Sequence, residues 1–469
     1  MSRSMDRIVI FVIWATFACL GGSAQAITVL TRDGKPIAGP AQTHGASFTA
    51  ATGTPVQVVR RPFDGLYAEI MLGFVTGRSR ADVLIFPAAW LPDFAPYLAP
   101  VPEALVSGPL VQGIAPAFRD TLMRWQGAWK AVTLDGDLHM GAYRRDLFED
   151  PAIAAAWRAQ TGSALAPPRT WVEYTRLAEF FAARPEVRYG TLEASAQGGQ
   201  RLWYLFSHVA ALVRSPGALF FDPQTMRPAI DSPPWVEALT QYLVAIATGP
   251  GDLGSHEVRT RFAAGEAAMA VDWSDIGLYA SDPGLSAVAG RTGFFVLPGS
   301  DRVWTGASWQ RQEPQPVPFL AFGGWIAAVP ADAVDQEGAW DFIRWMMDPA
   351  RADADVRDGA SGLNPYRKAQ LEDLAGWTRV MGSAAQGYLD VLGDSLASPH
   401  AVPDLRIPGY PAYLAVLDAE LDAVLDGRKP PSEALSTAAA AWDQITDRLG
   451  RAAQGRNYRE AMGLKETAP

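Results

Sequence analysis

Cysteine is the residue that this sequence most lacks. Its one cysteine, Cys19, lies in an apolar segment close to the N-terminus. Residues 27–469 therefore contain no cysteine, so this part of the chain forms no disulfide and offers no thiol nucleophile, and its stability must come from its core. A chain of 469 residues, of which 49% are hydrophobic, is long enough for two or three domains.

Long apolar runs and net positive charge are also scarce. The run IVIFVIWATFACL has 13 residues, too few for a comfortable membrane span, and no second long run follows. Because Arg3 and Arg7 precede it and SAQA follows, residues 1–26 are typical of a cleavable secretory signal, with an uncleaved anchor as the alternative. The net charge of −10 argues against nucleic acid or an anionic lipid surface as a partner. We therefore predict a soluble periplasmic protein.

The sequence also lacks the common catalytic motifs. It contains no G-x-S-x-G, H-E-x-x-H, P-loop or G-x-G-x-x-G, and none of its five histidines lies at metal-ligand spacing from another. Asp135, Asp137 and His139 alternate in LDGDLHMG, so a metal site on one strand face is one interpretation. We favour the other, a glycine turn whose aspartates line a cleft, and predict no metal and no cofactor. A carboxylate pair for glycoside hydrolysis stays open because acidic residues are plentiful.

What the sequence does contain is an alternation of strand-like and helical segments, which predicts an α/β fold. ITVLT and TPVQVV are predicted strands, and the apolar DVLIF suits a strand buried in a parallel sheet. Thr170 and Glu173 form a capping box before a predicted helix, and the C-terminal third is mainly helical.

Tryptophan is abundant, with 16 residues, many of them beside proline or glycine. Tryptophan often binds sugar rings by stacking on their faces. Trp90 follows the strand DVLIF, at the edge where open α/β sheets bind ligands, so we expect it to stack on a ligand. Asp82 begins that strand and is a candidate acceptor for ligand hydroxyls. Core packing for Trp90 and loop capping for Asp82 are the alternatives.

Eight segments, in this order, together resemble one family over more than 400 residues. They are FTAATGTPVQVV, FVTGRSRADVLIFPAAWLPDFAPYLAPV, HMGAYRRDLFEDP, PPRTWVEY, FFDPQTMRPAIDSPPWVEAL, RFAAGEAAMAVDW, GGWIAAVP with AWDFIRWMMDP, and DGRKPPSEALSTAAAAWDQI. The resemblance is to the extracellular solute-binding proteins of ABC importers, in the carbohydrate-binding group typified by maltose-binding protein.

The resemblance implies two α/β lobes that face each other across a cleft and are joined by crossing strands. We expect crossings near residues 138–143, near 292–298 and after 329. The predicted division is 27–138 and 293–330 for lobe one, and 139–292 and 331–469, with the C-terminal helices, for lobe two. The implied partners are a sugar or polyol that closes the lobes and a membrane permease with its ATPase. We expect the chain to act as a monomer.

The resemblance also implies which residues bind the ligand. Gly323 and Gly324 would offer bare backbone where a lobe-one strand meets the cleft, and Trp325 would stack on a sugar ring. Asp135 and Asp137 would accept hydrogen bonds from vicinal hydroxyls. Other predicted contacts are Gln200, Arg201, Trp203, Asp272, Trp273, Asn364, Arg367 and Tyr410.

Three points depart from this pattern or stay open. Arg201 and Arg367 leave room for a phosphate-bearing ligand, and a non-sugar solute is also open. The polar segment 305–318 has no counterpart in the family, and we expect it to line the cleft. An exported glycan-active enzyme is the alternative function.

Overall fold

The computed structural model describes residues 25–198, 200–321 and 323–464. Residues 1–24 of the predicted secretory signal lie outside the described residues. Within the described ranges, no helix is both long enough and apolar enough to cross a membrane.

Strands and helices are interspersed up to residue 328, and among the described residues only helices follow. The strands are β1 Ile27–Arg32, β2 Val56–Arg61, β3 Val83–Pro87, β4 Arg124–Trp125, β5 Ala128–Trp129, β6 Val132–Thr133, β7 His139–Arg144, β8 Tyr189–Leu192, β9 Ala267–Trp273, β10 Thr292–Phe295, β11 Arg302–Trp304, β12 Trp309–Arg311 and β13 Trp325–Ala328. The helices are α1 Ala38–Thr52, α2 Phe63–Thr76, α3 Leu91–Phe94, α4 Glu103–Val106, α5 Pro109–Gln112, α6 Pro116–Leu122, α7 Arg145–Phe148, α8 Pro151–Thr161, α9 Trp171–Ala182, α10 Gln200–Ala210, α11 Pro233–Ala247, α12 Ser255–Ala263, α13 Ile276–Ser281, α14 Gln336–Met346, α15 Pro349–Val356, α16 Lys368–Glu372, α17 Leu374–Met381, α18 Ala385–Ala397, α19 Tyr410–Leu425, α20 Pro431–Leu449 and α21 Arg451–Ala461.

Two mixed sheets organise the molecule and confirm the predicted α/β class. The first has the order β2-β1-β3-β13-β6, with β1 parallel to β2 and β3 and with β13 antiparallel to β3 and β6. The second has the order β10-β7-β9-β8, in which β8 and β9 are parallel and the other pairs antiparallel. We call the first sheet with its helices lobe one and the second sheet with its helices lobe two.

Local sequence explains why several elements begin where they do. Thr170 accepts a hydrogen bond from the Glu173 backbone, and the Glu173 side chain accepts one from the Thr170 backbone, which confirms the predicted capping box of α9. Strand β3 is buried along its whole length, as its continuous apolar sequence predicts for a strand covered on both faces.

The limits of the lobes differ from the predicted ones in two places. Strand β10 pairs with β7, so residues 292–295 belong to the sheet of lobe two, whereas the prediction began lobe one at 293. The prediction assigned 331–469 to lobe two, but α14 packs on α1 of lobe one: the Phe48 and Phe342 rings are 5.5 Å apart, and Trp345 Nε1 donates to Ser47 Oγ. An apolar helix face shows that a helix is buried, but not which sheet it covers.

Candidate functional site

A cavity of about 420 Å³ lies between the two sheets and receives residues from both lobes. From lobe one it is lined by Arg32 and Lys35, which end and follow β1, and by Trp325 at the start of β13. Three other pockets, of about 500, 590 and 530 Å³, are larger, but none of them is lined by residues of both sheets. The cavity between the lobes is therefore the candidate ligand site.

Strand direction explains why these side chains converge. β1 and β3 run in parallel, so both end at the same edge of the first sheet. β13 runs antiparallel and begins at that edge, where Trp325 pairs with Pro87. In the second sheet, β9 ends at Trp273, which pairs with His139 at the start of β7. The cavity thus occupies the edge at which open α/β sheets bind ligands.

Each lobe contributes one tryptophan to the cavity wall. Trp325 is 3% exposed, and its ring lies 6.1 Å from Phe63 and 5.8 Å from the guanidinium carbon of Arg32. Trp273 is also 3% exposed; its Nε1 donates to Gln200 Oε1 over 3.1 Å. The structure therefore brings the predicted Trp325, Trp273 and Gln200 to one cavity.

Arg259 and Asp275 line the acidic side of the cavity, and Asp272 lies behind them. Arg259 on α12 donates to Asp272 Oδ2 from Nε over 2.9 Å and forms an ion pair with Asp275. Asp272 also accepts a hydrogen bond of 2.5 Å from Tyr204 and is completely buried, whereas Arg259 and Asp275 line the cavity. Asp272 therefore holds Arg259 from behind and does not itself line the cavity.

Asp135 and Asn364 link the two lobes next to the cavity. Asp135 Oδ1 accepts hydrogen bonds from the backbone nitrogen and Nδ2 of Asn364, over 2.7 and 3.1 Å. Asn364 Oδ1 accepts from Ser274 Oγ over 2.9 Å, and Ser274 directly follows β9. Ser274 Oγ also lies 3.3 Å from Asp137, which lines the cavity. This bridge fixes one side of the junction between the lobes.

Burial dominates the electrostatics of these acids. It raises the pKa of Asp135 to about 7, against the hydrogen bonds from Asn364, and that of Asp275 to about 7, against the attraction of Arg259. Burial, followed by the nearby carboxyl groups of Asp135 and Asp275, raises the pKa of Asp137 well above its usual range. The raised pKa values of Asp135 and Asp275 lie close to neutral pH, so both groups are partly protonated there.

A family model for bacterial extracellular solute-binding proteins matches residues 28–352. The chain belongs to this family. The predicted family membership is thereby confirmed. A curated relative, the mannitol-binding protein of Pseudomonas aeruginosa, is 27% identical over 266 residues, which make up 55% of this chain and 53% of that protein. The match therefore spans about half the length of the relative.

Solved structures of similar proteins share the fold. The ribitol complex of an ABC transporter solute-binding protein from Agrobacterium radiobacter K84 has a TM-score of 0.74 and 22% identity, covering 90% of this chain and 98% of the other. A D-mannitol-bound protein from Agrobacterium vitis S4 has a TM-score of 0.70 and 21% identity, covering 91% and 99%. Maltose-bound T. maritima MalE3 has a TM-score of 0.71 and 19% identity, covering 90% and 100%. These likenesses confirm the predicted two-lobe fold.

The glycines of this solute-binding protein are required for a reason other than the predicted one. Gly323 and Gly324 have φ angles of 78° and 96°, which side chains rarely adopt. A Cβ at Gly324 would lie 2.5 Å from the carbonyl oxygen of Asp135, and one at Gly323 would lie 2.6 Å from Leu122. Neither glycine lines the cavity. Because neither glycine has a side chain, Asp135 and Leu122 can pack against this backbone, which brings Trp325 to the cavity.

Two predicted residues of lobe one lie away from the cavity. Asp82 precedes β3 and accepts a hydrogen bond of 2.8 Å from the backbone of Thr28, at the beginning of β1. It therefore lies at the opposite end of the sheet from Arg32. Trp90 is buried behind Phe63, with ring centroids 5.5 Å apart, so the structure gives it the alternative core role.

The remaining predicted residues are held by partners within the protein. Arg367 NH1 donates to the carbonyl oxygen of Leu110 over 3.0 Å. Trp203 Nε1 and the Tyr410 hydroxyl both donate to Asp404, over 2.8 and 2.5 Å. Arg367, Trp203 and Tyr410 are buried and do not line the cavity.

Arg201 and the segment 305–318 also lie elsewhere. Arg201 forms a buried ion pair with Asp418 at 2.7 Å, so the structure does not bring the arginines expected to favour a phosphate ligand to the cavity. Segment 305–318 includes β12, which forms a hairpin with β11, and this hairpin hydrogen-bonds near Leu212 and not at the cavity.

Sequence reasoning missed several residues of the cavity, above all Arg32, Lys35, Arg259 and Asp275. The position of Arg32 at the carboxyl end of a predicted strand was the available signal. Arg259 lies within an ordinary helical segment, so its role depends on the pairing with Asp272 and Asp275. In the part of the chain that the structure describes, no group of three histidine, cysteine or acidic residues is arranged to hold a metal.

Proposed function

We propose that this solute-binding protein is a periplasmic receptor that captures a small polyhydroxylated solute, a sugar or polyol, and delivers it to an ABC permease. The observation that carries the proposal is the cavity between the sheets, to which each lobe contributes a tryptophan. Mannitol and ribitol, the ligands of similar proteins, support this class of solute.

The residues of the cavity suit such a ligand. Tryptophan faces pack against the C–H groups of a sugar or polyol, and Trp273 and Trp325 supply one face from each lobe. Asp137, Asp275, Gln200 and Arg259 offer polar groups for hydroxyls. A ligand that touches both walls stabilises the closed arrangement of the lobes, because the open arrangement makes only part of these contacts.

We infer that the protein binds its solute without turnover and works as a monomer. Glycoside hydrolysis needs one free nucleophile or base and one proton donor at the same bond. Of the two carboxyl groups at the cavity, Asp275 is bound by Arg259, and Asp137 lies beside Ser274. Incubating the protein with nitrophenyl glycosides and disaccharides and recovering them intact supports this inference, whereas product that increases with protein concentration refutes it.

The first test is a thermal-shift screen of residues 27–469 against pentitols, hexitols, monosaccharides and disaccharides, followed by calorimetric titration of each hit. A ligand at 100 times its Kd adds roughly 2.7 kcal/mol to the free energy of unfolding, which shifts the midpoint measurably. We expect hits within one class of polyhydroxylated solute. No shift and no heat with any member of the panel contradicts the proposed ligand class.

The site itself is tested with tryptophan variants. Trp273→Ala and Trp325→Ala are each expected to weaken binding at least about tenfold, or about 1.4 kcal/mol, because each removes one wall of the cavity. Trp309→Ala is the matched control, since Trp309 lies in the β11–β12 hairpin and not at the cavity. Unchanged calorimetric affinity in both cavity variants excludes this cavity as the binding site.

A further inference from the structure

Arg32 is a half-buried cation at the cavity wall, and its environment is unusual. Its guanidinium carbon lies 5.7 Å from the Phe63 ring and 5.8 Å from the Trp325 ring, and its Nε donates to the backbone oxygen of Asp33 over 3.3 Å. No carboxylate lies within ion-pair distance of Arg32 among the residues that the structure describes. Burial lowers the pKa of Arg32, yet an arginine side chain keeps its charge in proteins.

The other arginine that lines the cavity is already engaged, because Arg259 is paired with Asp272 and Asp275. Lys35 follows Arg32 in the chain and also lines the cavity, and it too has no ion pair within the described ranges. The end of the cavity formed by the β1 edge therefore holds a half-buried Arg32 and an exposed Lys35, neither of which forms an ion pair within the described ranges.

The acidic side of the cavity does not neutralise this end. Asp275 is already bound to Arg259. Asp137 accepts a hydrogen bond from Ser274 Oγ over 3.3 Å, and burial raises its pKa well above the usual range. Asp33, the residue after Arg32, is exposed to solvent. The cavity therefore presents cations without an ion pair at the Arg32 end, whereas the acids at the other end are already ion-paired or hydrogen-bonded.

We propose that the ligand is a sugar acid of the aldonate type, a polyol chain whose terminal carboxylate is bound by Arg32 and whose hydroxyl-bearing carbons lie between Trp325 and Trp273. This inference rests on the proposed function, because it names the solute class of the same cavity. A guanidinium binds a carboxylate through two parallel hydrogen bonds, and such charge-assisted bonds are stronger than those to a hydroxyl. A neutral polyol would leave the half-buried Arg32 without an ion-pair partner when the lobes close.

The test uses ligands that differ only at one terminal carbon. Calorimetric titrations compare D-gluconate with D-glucitol and D-mannonate with D-mannitol, on the protein comprising residues 27–469. We expect the acid of at least one pair to bind about tenfold or more tightly than its hexitol. We also expect Arg32→Gln to reduce this preference about tenfold, because the acid loses more affinity than the hexitol does. Added salt should weaken binding of the acid more than binding of the hexitol.

Arg60→Gln is the control, because Arg60 is exposed on β2 and does not line the cavity. Hexitols that bind as tightly as the acids overturn the aldonate assignment and leave the polyol receptor standing. If Arg32→Gln loses equal affinity for the acid and the hexitol, with an unchanged circular dichroism spectrum, Arg32 is not the partner of the carboxylate. If neither ligand type nor any other sugar binds, the proposed function fails as well.

Discussion

Asp137 is a carboxyl group on which burial and charge act in the same direction. It is 7% exposed, and Asp135, Asp272 and Asp275 all raise its pKa further, while only Arg259 opposes them. In the unfolded chain the same group has its ordinary, low pKa. The folded protein therefore holds the proton of Asp137 more tightly than the unfolded chain does.

This difference predicts how stability depends on pH. A carboxyl group whose pKa is raised by folding stabilises the protein fully below its ordinary pKa, and the contribution is lost as pH rises through the raised value. Asp137→Asn removes one such group, so we expect its free energy of unfolding, relative to the parent, to be higher at pH 8 than at pH 5. Urea unfolding at both pH values measures this. An identical pH slope in parent and variant contradicts the assignment.

Gly324 allows a second prediction at this scale. Its φ of 96° and the 2.5 Å approach of the Asp135 carbonyl to a Cβ leave no room for alanine, so Gly324→Ala should destabilise the fold by about 2 kcal/mol or more. Gly387 is the matched control, because it lies exposed in α18 with nothing within 4 Å of its Cβ. Gly387→Ala should stabilise by about 0.5–1 kcal/mol. Chemical unfolding of both variants checks the pair, and equal effects would refute the explanation.

At the scale of elements, a buried ion pair fastens α10 to α19. Arg201 donates from Nε to Asp418 Oδ1 over 2.7 Å and from NH2 to the Asp418 backbone oxygen over 2.9 Å. Arg201 is 2% exposed. Loss of the arginine leaves a carboxylate without its partner at the interface between two helices.

Arg201→Met is therefore expected to reduce the free energy of unfolding by about 3–5 kcal/mol. The control is Arg428→Met, because Arg428 pairs with Asp422 and Asp426 at a side-chain exposure of 57%. Its loss should change stability by no more than about 1 kcal/mol. Thermal and urea unfolding measure both, and a loss in Arg201→Met as small as the control's would show that the pair does not hold the helices together.

Elements were largely predictable from sequence, because their signals are local. The predicted strands ITVLT and DVLIF correspond to β1 and β3, and the capping box places the start of α9. The assignment of α14 to a lobe failed because an apolar face does not identify its partner. The arginines show the same limit: the partner of Arg201 lies 217 residues away in sequence, and Arg32 is distinguished by the absence of an ion-pair partner among the described residues.

Some residues of the candidate site were predictable from the sequence and others were not. Trp273 and Trp325 could be placed at the cavity because each lies at the end of a strand that the family resemblance aligns. Asp82 was placed at the wrong end of the sheet, because an acid before a strand lies opposite the edge where parallel strands end. For side chains outside the strands, such as Lys35 and Asp275, the local sequence does not indicate that they will line the cavity.

At the scale of the whole molecule, the bridge from Asp135 through Asn364 to Ser274 connects the lobes without lining the cavity. Removing it should alter how the lobes approach each other and thus weaken binding indirectly. We expect Asn364→Ala to weaken ligand binding by about 1 kcal/mol, the typical contribution of a hydrogen bond.

Calorimetry with the best ligand of the screen, together with small-angle scattering of free and bound protein, checks this expectation. Asn457→Ala is the control, because Asn457 accepts only an exposed hydrogen bond from Gln126, over 3.3 Å. Unchanged affinity and unchanged scattering in Asn364→Ala would show that the bridge does not position the lobes.

The position of β13 in the first sheet has a consequence for biosynthesis. β13 joins β3 to β6, yet the ribosome makes β13 roughly 240 residues after β3, which takes about 10–50 s at usual rates of synthesis. Until then lobe one lacks the strand that completes its sheet, and the emerging polypeptide has no finished domain to fold. A nascent chain that has not completed this sheet can still pass through a narrow translocation channel, which is what the proposed periplasmic role requires.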